Sequence, residues 1–241
     1  MVDTHILKID TNIGKYDFDR LLNCVSEQKK ERIRRFHRFE DAQRSLIGDV
    51  LTRYVLCNKL SIRNKDLVFG TNEYGKPLLL EPNGIHFNIS HSGSWIVCAV
   101  GNKTIGIDVE IIKPIDLEIA ERFFTRDGYI SLMDQPEEMK LKYFYMIWTL
   151  KESYIKAEGK GLSIPLNTFT IRMKNNNINV ITENKIKDFY FYQSFTGDDA
   201  IYSICSLSSN VNESICLNID NFLNIVRGIV VQLSSQPHLG I

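Results

Sequence analysis

The stretch Ile105-Gly106-Ile107-Asp108-Val109-Glu110-Ile111 reads as a strand with chemistry on one face. Successive side chains alternate sides, so Asp108 and Glu110 point one way and Ile107, Val109 and Ile111 the other. Two neighbouring carboxylates repel each other unless a cation sits between them. Hard oxygen donors with no Cys or His beside them favour Mg²⁺, Mn²⁺ or Ca²⁺ over Zn²⁺. The pattern equally fits a half-exposed strand with an ordinary polar face. A third carboxylate lies on the helix expected over Glu138 to Glu158, where Ile147, Leu150, Tyr154 and Ala157 form a buried stripe. Glu152 and Lys156 lie four residues apart on the opposite side, Thr149 shares their face, and Trp148 borders it at a possible domain junction. Alone, Glu152 and Lys156 make a solvated ion pair. Packed beside the acidic strand, Glu152 completes a set of three carboxylates and Lys156 faces the same phosphate, an arrangement Mg²⁺ uses.

Anion-binding groups lie upstream. Residues 29–44 hold seven basic side chains (Lys29, Lys30, Arg32, Arg34, Arg35, Arg38, Arg44) against three acids, a local charge of +4 in a chain with no net charge. Lys29 and Arg32 share a helical face. The cluster fits a solvated helix face or a small phosphorylated ligand better than a nucleic acid, because interleaved aromatics are sparse. Lys76 sits in a Gly-Lys-Pro turn with its stem held and its head free, a point-charge phosphate binder by type. Ser90-His91-Ser92-Gly93 reads as a loop that offers backbone N–H groups and a His donor to an anion. Adjacent Ser and His do not make a catalytic triad.

The elements that must position these groups are mixed. Strands are expected at Thr4–Ile9, Val68–Thr71, His86–Ile89, Trp95–Gly101, Thr104–Ile111, Phe169–Met173, Phe189–Ser194 and Tyr202–Leu207. Helices are expected from Asp17 or Ser26 to about Phe39, with a possible break, then over Glu40–Leu60, Leu117–Phe123 with Asp116 as N-cap, and Glu138–Glu158. Gly159 ends the last of these, because glycine accepts the left-handed conformation there. Residues 124–137 read as irregular, and Asn175 to Asn177 as a loop tip. The Asn102-Lys103 turn suggests that the strands on either side pair as a hairpin. Hairpins without strict βαβ alternation imply an α+β fold with antiparallel sheet. The best boundary lies at residues 102–104, giving halves of 1–103 and 104–210 and a tail at 211–241.

Composition narrows the functions. Apolar residues make up 44% and charged residues 24%, a globular balance that excludes disorder. Zero net charge excludes a bulk nucleic-acid coat and a polybasic membrane binder. No run approaches the ~20 apolar residues of a membrane helix, and the first ten residues carry Asp3, Lys8 and Asp10, unlike a signal peptide. Five scattered cysteines without a Cys-x-x-Cys pair fit free thiols in a reducing cytosol.

Gly75-Lys76-Pro77, Phe87-Asn88-Ile89-Ser90-His91-Ser92, Gly106-Ile107-Asp108-Val109-Glu110 and Trp148-Thr149-Leu150-Lys151-Glu152-Ser153-Tyr154-Ile155-Lys156 together resemble the ordered motifs of 4′-phosphopantetheinyl transferases. Arg44-Ser45-Leu46-Ile47-Gly48-Asp49 and the chain length resemble the Sfp type, the surfactin-synthetase activators. The likeness spans residues 1–207. It implies two similar α+β halves in a pseudo-two-fold arrangement, with antiparallel sheets packed against helices and a ligand cleft between them. It further implies transfer of the phosphopantetheine arm of coenzyme A to a serine of an apo peptidyl or acyl carrier protein, releasing adenosine 3′,5′-bisphosphate. By position, Asp108, Glu110 and Glu152 match metal ligands for Mg²⁺ or Mn²⁺, with Glu152 also the general base. His91 and Lys156 match contacts to the coenzyme A phosphates. Lys29, Lys76 and Ser90 match further coenzyme contacts, with Arg32 where a relative has Lys and Ser45 where one has Thr. The resemblance leans toward nonribosomal peptide and antibiotic biosynthesis; a monomer is the simplest state, because both halves of the cleft lie in one chain, and the free thiols fit the cytoplasm. A coenzyme A-binding module without activity and a metal-dependent phosphohydrolase are the competing readings. The tail departs from the pattern. It reads as an extra helix, an arm over the C-terminal half, or a disordered end.

Overall fold

The computed structural model describes residues 1–174, 177–183, 185–197 and 199–233, with side chains through residue 227. The N-terminal half contains β1 (Val2–Lys8), α1 (Lys15–Leu22), α2 (Glu27–Arg34), α3 (Phe39–Leu60), β2 (Val68–Thr71), β3 (Pro77–Glu81), β4 (His86–Ser92) and β5 (Trp95–Gly101). The C-terminal half contains β6 (Ile105–Ile111), α4 (Ile119–Phe123), α5 (Arg126–Met133), α6 (Glu137–Glu158), β7 (Phe169–Lys174), β8 (Asn177–Thr182), β9 (Lys185–Ile186), β10 (Tyr190–Thr196) and β11 (Ala200–Ser206). β12 (Ile215–Asn218) and α7 (Ile219–Leu233) follow.

The two halves repeat one plan. Each runs from a strand through a 22-residue helix (α3, α6) and a small sheet to a final antiparallel pair. The sheet orders are β12-β1-β5-β4 and β10-β11-β6, so in each half the last strand is flanked by the first and the penultimate. The two sheets pack face to face. Val2, Ile6, Trp95, Val97 and Ala99 meet Ile105, Ile107, Val109, Ala200, Tyr202 and Ile204 in a dry layer. The opposite faces carry α3 over Leu7, Ile96 and Cys98 in one half, and α6 over Ile201 and Cys205 in the other. Each strand thus shows one face to the partner sheet and the next residue to its own helix, which sends Gly106, Asp108 and Glu110 toward α6.

Several expectations change. β5 does not pair with β6, because β1 and β4 already occupy both of its edges; β6 joins β11 instead. Strand β4 runs on through Ser92, so Ser90 and His91 lie in a strand rather than a loop. Residues 126–133 form α5, capped by Thr125 Oγ1 accepting from the Gly128 N–H at 3.2 Å. The first helix divides in two, with Ser26 Oγ capping the Lys29 N–H at the start of α2. β8 begins at Asn177 within the expected loop tip; its Asn-rich entry masks the alternation that buries Val180. Asn175 and Asn176 lie outside the described residues. The tail packs on the N-terminal half: β12 adds to β1 in parallel, and α7 sets Phe222 and Val226 into the α3 core.

Candidate active site

Gly106 decides how close α6 comes to β6. A Cβ there would lie 2.1 Å from the Ser153 carbonyl oxygen and 2.3 Å from the Ala157 backbone nitrogen. Without that atom, helix backbone rests on strand backbone, and Glu152 and Lys156 are carried to Asp108 and Glu110. Lys156 Nζ donates to Asp108 Oδ1 at 2.6 Å and to Ser90 Oγ at 2.8 Å. Ser90 Oγ donates to the same Asp108 oxygen at 2.9 Å. Ser92 Oγ donates to Glu110 Oε2 at 2.7 Å. Burial pushes the Glu152 carboxyl up to about 7, and the charges of Asp108 and Glu110 add to that rise against the opposing pull of Lys156. Burial likewise raises Glu110; the Ser92 hydrogen bond works against this and Asp108 with it.

The facing wall is cationic. A cleft of about 1350 Å³ is lined by Lys29, Arg32 and Arg35, by Arg44, Ser45, Asp49 and Arg53 of α3, and by His91 of β4. The other side is Asp108, Glu110, Trp148, Glu152 and Lys156. Asp49 sets the positions of two of the cations: its carboxylate lies 3.7 Å from Lys29 Nζ and 2.6 Å from Arg53 Nε. Arg53 is held further by Asn64 Oδ1 at 2.9 Å, with its guanidinium 4.6 Å from the Phe69 ring centroid. Burial lowers the Lys29 ammonium pKa, which Asp49 partly restores. Burial also lowers His91, and the positive charges of Arg44 and Lys156 add to the effect. A basic wall against an acidic one suits a substrate with several phosphates, one of them held beside a cation.

Of the residues singled out in the sequence, Lys29, Arg32, Ser45, Ser90, His91, Asp108, Glu110, Glu152 and Lys156 all line this cleft. Lys76 is not part of that lining. Its head is engaged rather than free, donating to Ile105 O at 2.9 Å and Ala157 O at 3.4 Å, and burial lowers its pKa to about 8. With Asn72 Nδ2 donating to Gly159 O at 2.6 Å, this turn latches the N-terminal half to the end of α6. Thr149 is buried rather than on the Glu152 face, its Oγ1 hydrogen-bonded to Tyr145 O and Ser203 Oγ. The sequence reading missed Asp49, Arg53 and Lys151. A charged i, i+4 pair beside the apolar α3 stripe is the signal for the first two. Lys151 is buried and donates to Leu166 O at 2.8 Å and Phe169 O at 2.5 Å, anchoring α6 from behind the site.

The residues at the acidic wall fit a divalent cation. Asp108 Oδ2 is buried and has no hydrogen-bond partner among the described residues, although its sister oxygen has two. An orphaned carboxylate oxygen is costly unless a positive ion takes it. The donors are all hard oxygens. Among the described residues, no three His, Cys, Asp or Glu side chains gather closely enough to hold a metal by themselves. A cation here would need further ligands from water and substrate phosphate, as Mg²⁺ commonly takes.

Two family models and several curated relatives match this chain. Residues 13–103 match the family model described as 4′-phosphopantetheinyl transferase, N-terminal, and residues 104–205 that of the 4′-phosphopantetheinyl transferase superfamily. The 4′-phosphopantetheinyl transferase Sfp of Bacillus subtilis is 45% identical over 165 residues, 68% of this chain and 74% of its own. The 4′-phosphopantetheinyl transferase gsp of Aneurinibacillus migulanus is 39% identical over 211 residues, 88% of each chain. A solved holo-[acyl-carrier-protein] synthase of Thermotoga maritima aligns with 44% of this chain and 64% of its own, at 19% identity and a TM-score of 0.37.

Proposed function

This chain belongs to the 4′-phosphopantetheinyl transferase superfamily, and from that premise we propose that the cleft is where it transfers the phosphopantetheine arm of coenzyme A to a serine of an apo carrier protein. The observation that carries the site reading is the meeting of two unlike walls: Asp108, Glu110, Glu152 and Lys156 on one side, Lys29, Arg32, Arg44 and His91 on the other.

In this reading the basic wall holds the phosphates of coenzyme A. Lys156 neutralises charge on the pyrophosphate, its ammonium already aimed by Asp108 and Ser90. Glu152 accepts the proton of the carrier serine as its oxygen attacks the β-phosphorus. A new serine oxygen–phosphorus bond forms, the bond to the bridging oxygen breaks, and adenosine 3′,5′-bisphosphate departs. Asp108, Glu110 and Glu152 would hold Mg²⁺, with Mn²⁺ as an alternative, and the ion would supply charge neutralisation at the pyrophosphate. No covalent enzyme intermediate is required, and burial raises Cys24, Cys57, Cys98 and Cys205 away from the reactive thiolate form.

The carrier is a peptidyl or acyl carrier protein; the resemblance of residues 44–49 to the Sfp type favours the peptidyl kind, and hence a role in nonribosomal peptide and antibiotic biosynthesis. No helix among the described residues is long and apolar enough to cross a membrane. Both walls come from one chain, which fits a monomer, and the cytoplasm is the compartment where free thiols persist. The halves are assigned to 1–103 and 104–210, with 211–241 as a tail. The decisive experiment mixes the protein with coenzyme A, Mg²⁺ and an apo peptidyl carrier and weighs the carrier by intact mass spectrometry. A gain of one phosphopantetheine, lost with EDTA and with a serine-to-alanine carrier, is expected. Bound coenzyme A with no gain on any peptidyl or acyl carrier supports the inert binding module. Hydrolysis of coenzyme A without carrier supports a phosphohydrolase.

A further inference from the structure

Strands β4 and β6 run beside each other across the two halves, yet each is the outer strand of its own sheet. Among the described residues their contact is made by side chains in place of a backbone ladder. Asn88 Oδ1 accepts the Ile107 N–H at 2.8 Å, and Ser92 Oγ accepts the Ile111 N–H at 3.2 Å. These acceptors are four residues apart on β4 and their donors four apart on β6, so the pair fixes the register. Between them Ser90 Oγ reaches Asp108, and at the end Ser92 Oγ reaches Glu110 Oε2 at 2.7 Å. Positions 88, 90 and 92 share a face by strand alternation. Gly93 follows with φ of +54°, where a Cβ would sit 2.0 Å from Ile111 Cδ1, so the chain can close tightly onto the end of β6.

We propose that Ser92 is a positioning residue for the Glu110 carboxylate. Its hydroxyl accepts a hydrogen bond from the Ile111 N–H of β6 and donates one to Glu110 Oε2, so the N-terminal half aims a ligand that belongs to the C-terminal half. Ser92 does not line the cleft, unlike Ser90 and His91, and reaches the site through Glu110. The inference rests on the reading that Asp108, Glu110 and Glu152 hold a divalent cation. Hydrogen-bond partners of metal ligands set ligand direction, and their loss weakens metal binding about 10- to 100-fold in other sites.

The test titrates Mn²⁺ into the full chain with coenzyme A present and no carrier, counting free Mn²⁺ by electron paramagnetic resonance. Ser92→Ala is expected to weaken Mn²⁺ binding about tenfold and Ser92→Thr, which keeps the hydroxyl, to stay within about twofold of the parent. Coenzyme A affinity measured calorimetrically in EDTA is expected to be the same for all three. Wild-type Mn²⁺ affinity in Ser92→Ala overturns the proposal. So does a parallel loss of coenzyme A affinity in EDTA together with a lower Tm, which would make Ser92 a mere tie between the halves. Asp108→Ala separates this from the premise: if that variant binds Mn²⁺ as tightly as the parent, the cation reading itself has failed.

Discussion

The first strand of each half lies under the long helix of that half, and the two contacts differ in kind. In the N-terminal half, β1 and β5 offer Leu7, Ile96 and Cys98 to α3, whose Leu46, Ile47, Val50 and Leu51 close over them in a largely apolar core. In the C-terminal half, β6 offers Gly106, Asp108 and Glu110 to α6. There the glycine permits backbone contact at one end, and the carboxylates leave an open polar seam at the other. A repeated scaffold thus holds one copy shut by hydrophobic burial and uses the other to support a charged site. The closed copy turns another side of α3 toward the cleft, where Arg44 and Arg53 contribute to the basic wall and Asp49 positions Arg53 and Lys29. One copy supplies cations from outside its helix; the other supplies carboxylates from beneath its helix.

The sharpest way to break that contrast is at the seam. Glu152→Gln removes a base but keeps the shape, and transfer is expected to fall about 10³-fold with the fold intact, read by single-turnover transfer and circular dichroism. A rate within about tenfold of the parent would assign the base elsewhere. Gly106→Ala tests the backbone contact itself. The added Cβ meets main-chain atoms that cannot swing aside, so a loss of about 3 kcal/mol in denaturant-unfolding free energy is expected, together with loss of transfer. On the basic wall, Lys29→Ala removes one charged contact to substrate and should raise the KM for coenzyme A about tenfold with kcat little changed. An unchanged KM would take Lys29 out of the phosphate site. Gly48→Ala in α3 is the counterpart of the β6 glycine and the mildest change. Its Cβ would meet Ile89 Cδ1 at 3.0 Å, the far end of a flexible side chain. The gain in helix propensity of about 1 kcal/mol offsets that contact, so stability should move by less than about 1 kcal/mol. If Gly48→Ala proves as damaging as Gly106→Ala, the two contacts are not different in kind.

Much of this was legible because periodicity survives folding. The alternation in 105–111 gave the carboxylate face, and the stripe Ile147, Leu150, Tyr154 and Ala157 gave the buried side of α6, all four being buried. Local rules also placed the end of α6 at Gly159, whose φ is +75°. The errors at Lys76 and in the tail fell where partners are distant in sequence. Lys76 looked free because the carbonyls of Ile105 and Ala157 that hold it are 29 and 81 residues away. Ser90 and His91 looked like loop residues because the strand that extends them, β5, follows only after the Gly93 turn. The tail carried an apolar pattern without an address, and only the free edge of β1 supplied one.

The sequence by itself determined which groups are present and which faces they share, since chemistry and helix or strand period are local. The tertiary structure alone decided that Asp108 comes within 2.6 Å of Lys156 and that Asp49 stands between Lys29 and Arg53. It also decided that the strand carrying Ser90 and Ser92 lies against the strand carrying Asp108 and Glu110. Those contacts depend on two sheets packing face to face and on a helix reaching a strand through the missing Cβ of Gly106, and no local pattern encodes the distance between segments that meet only when the cores close.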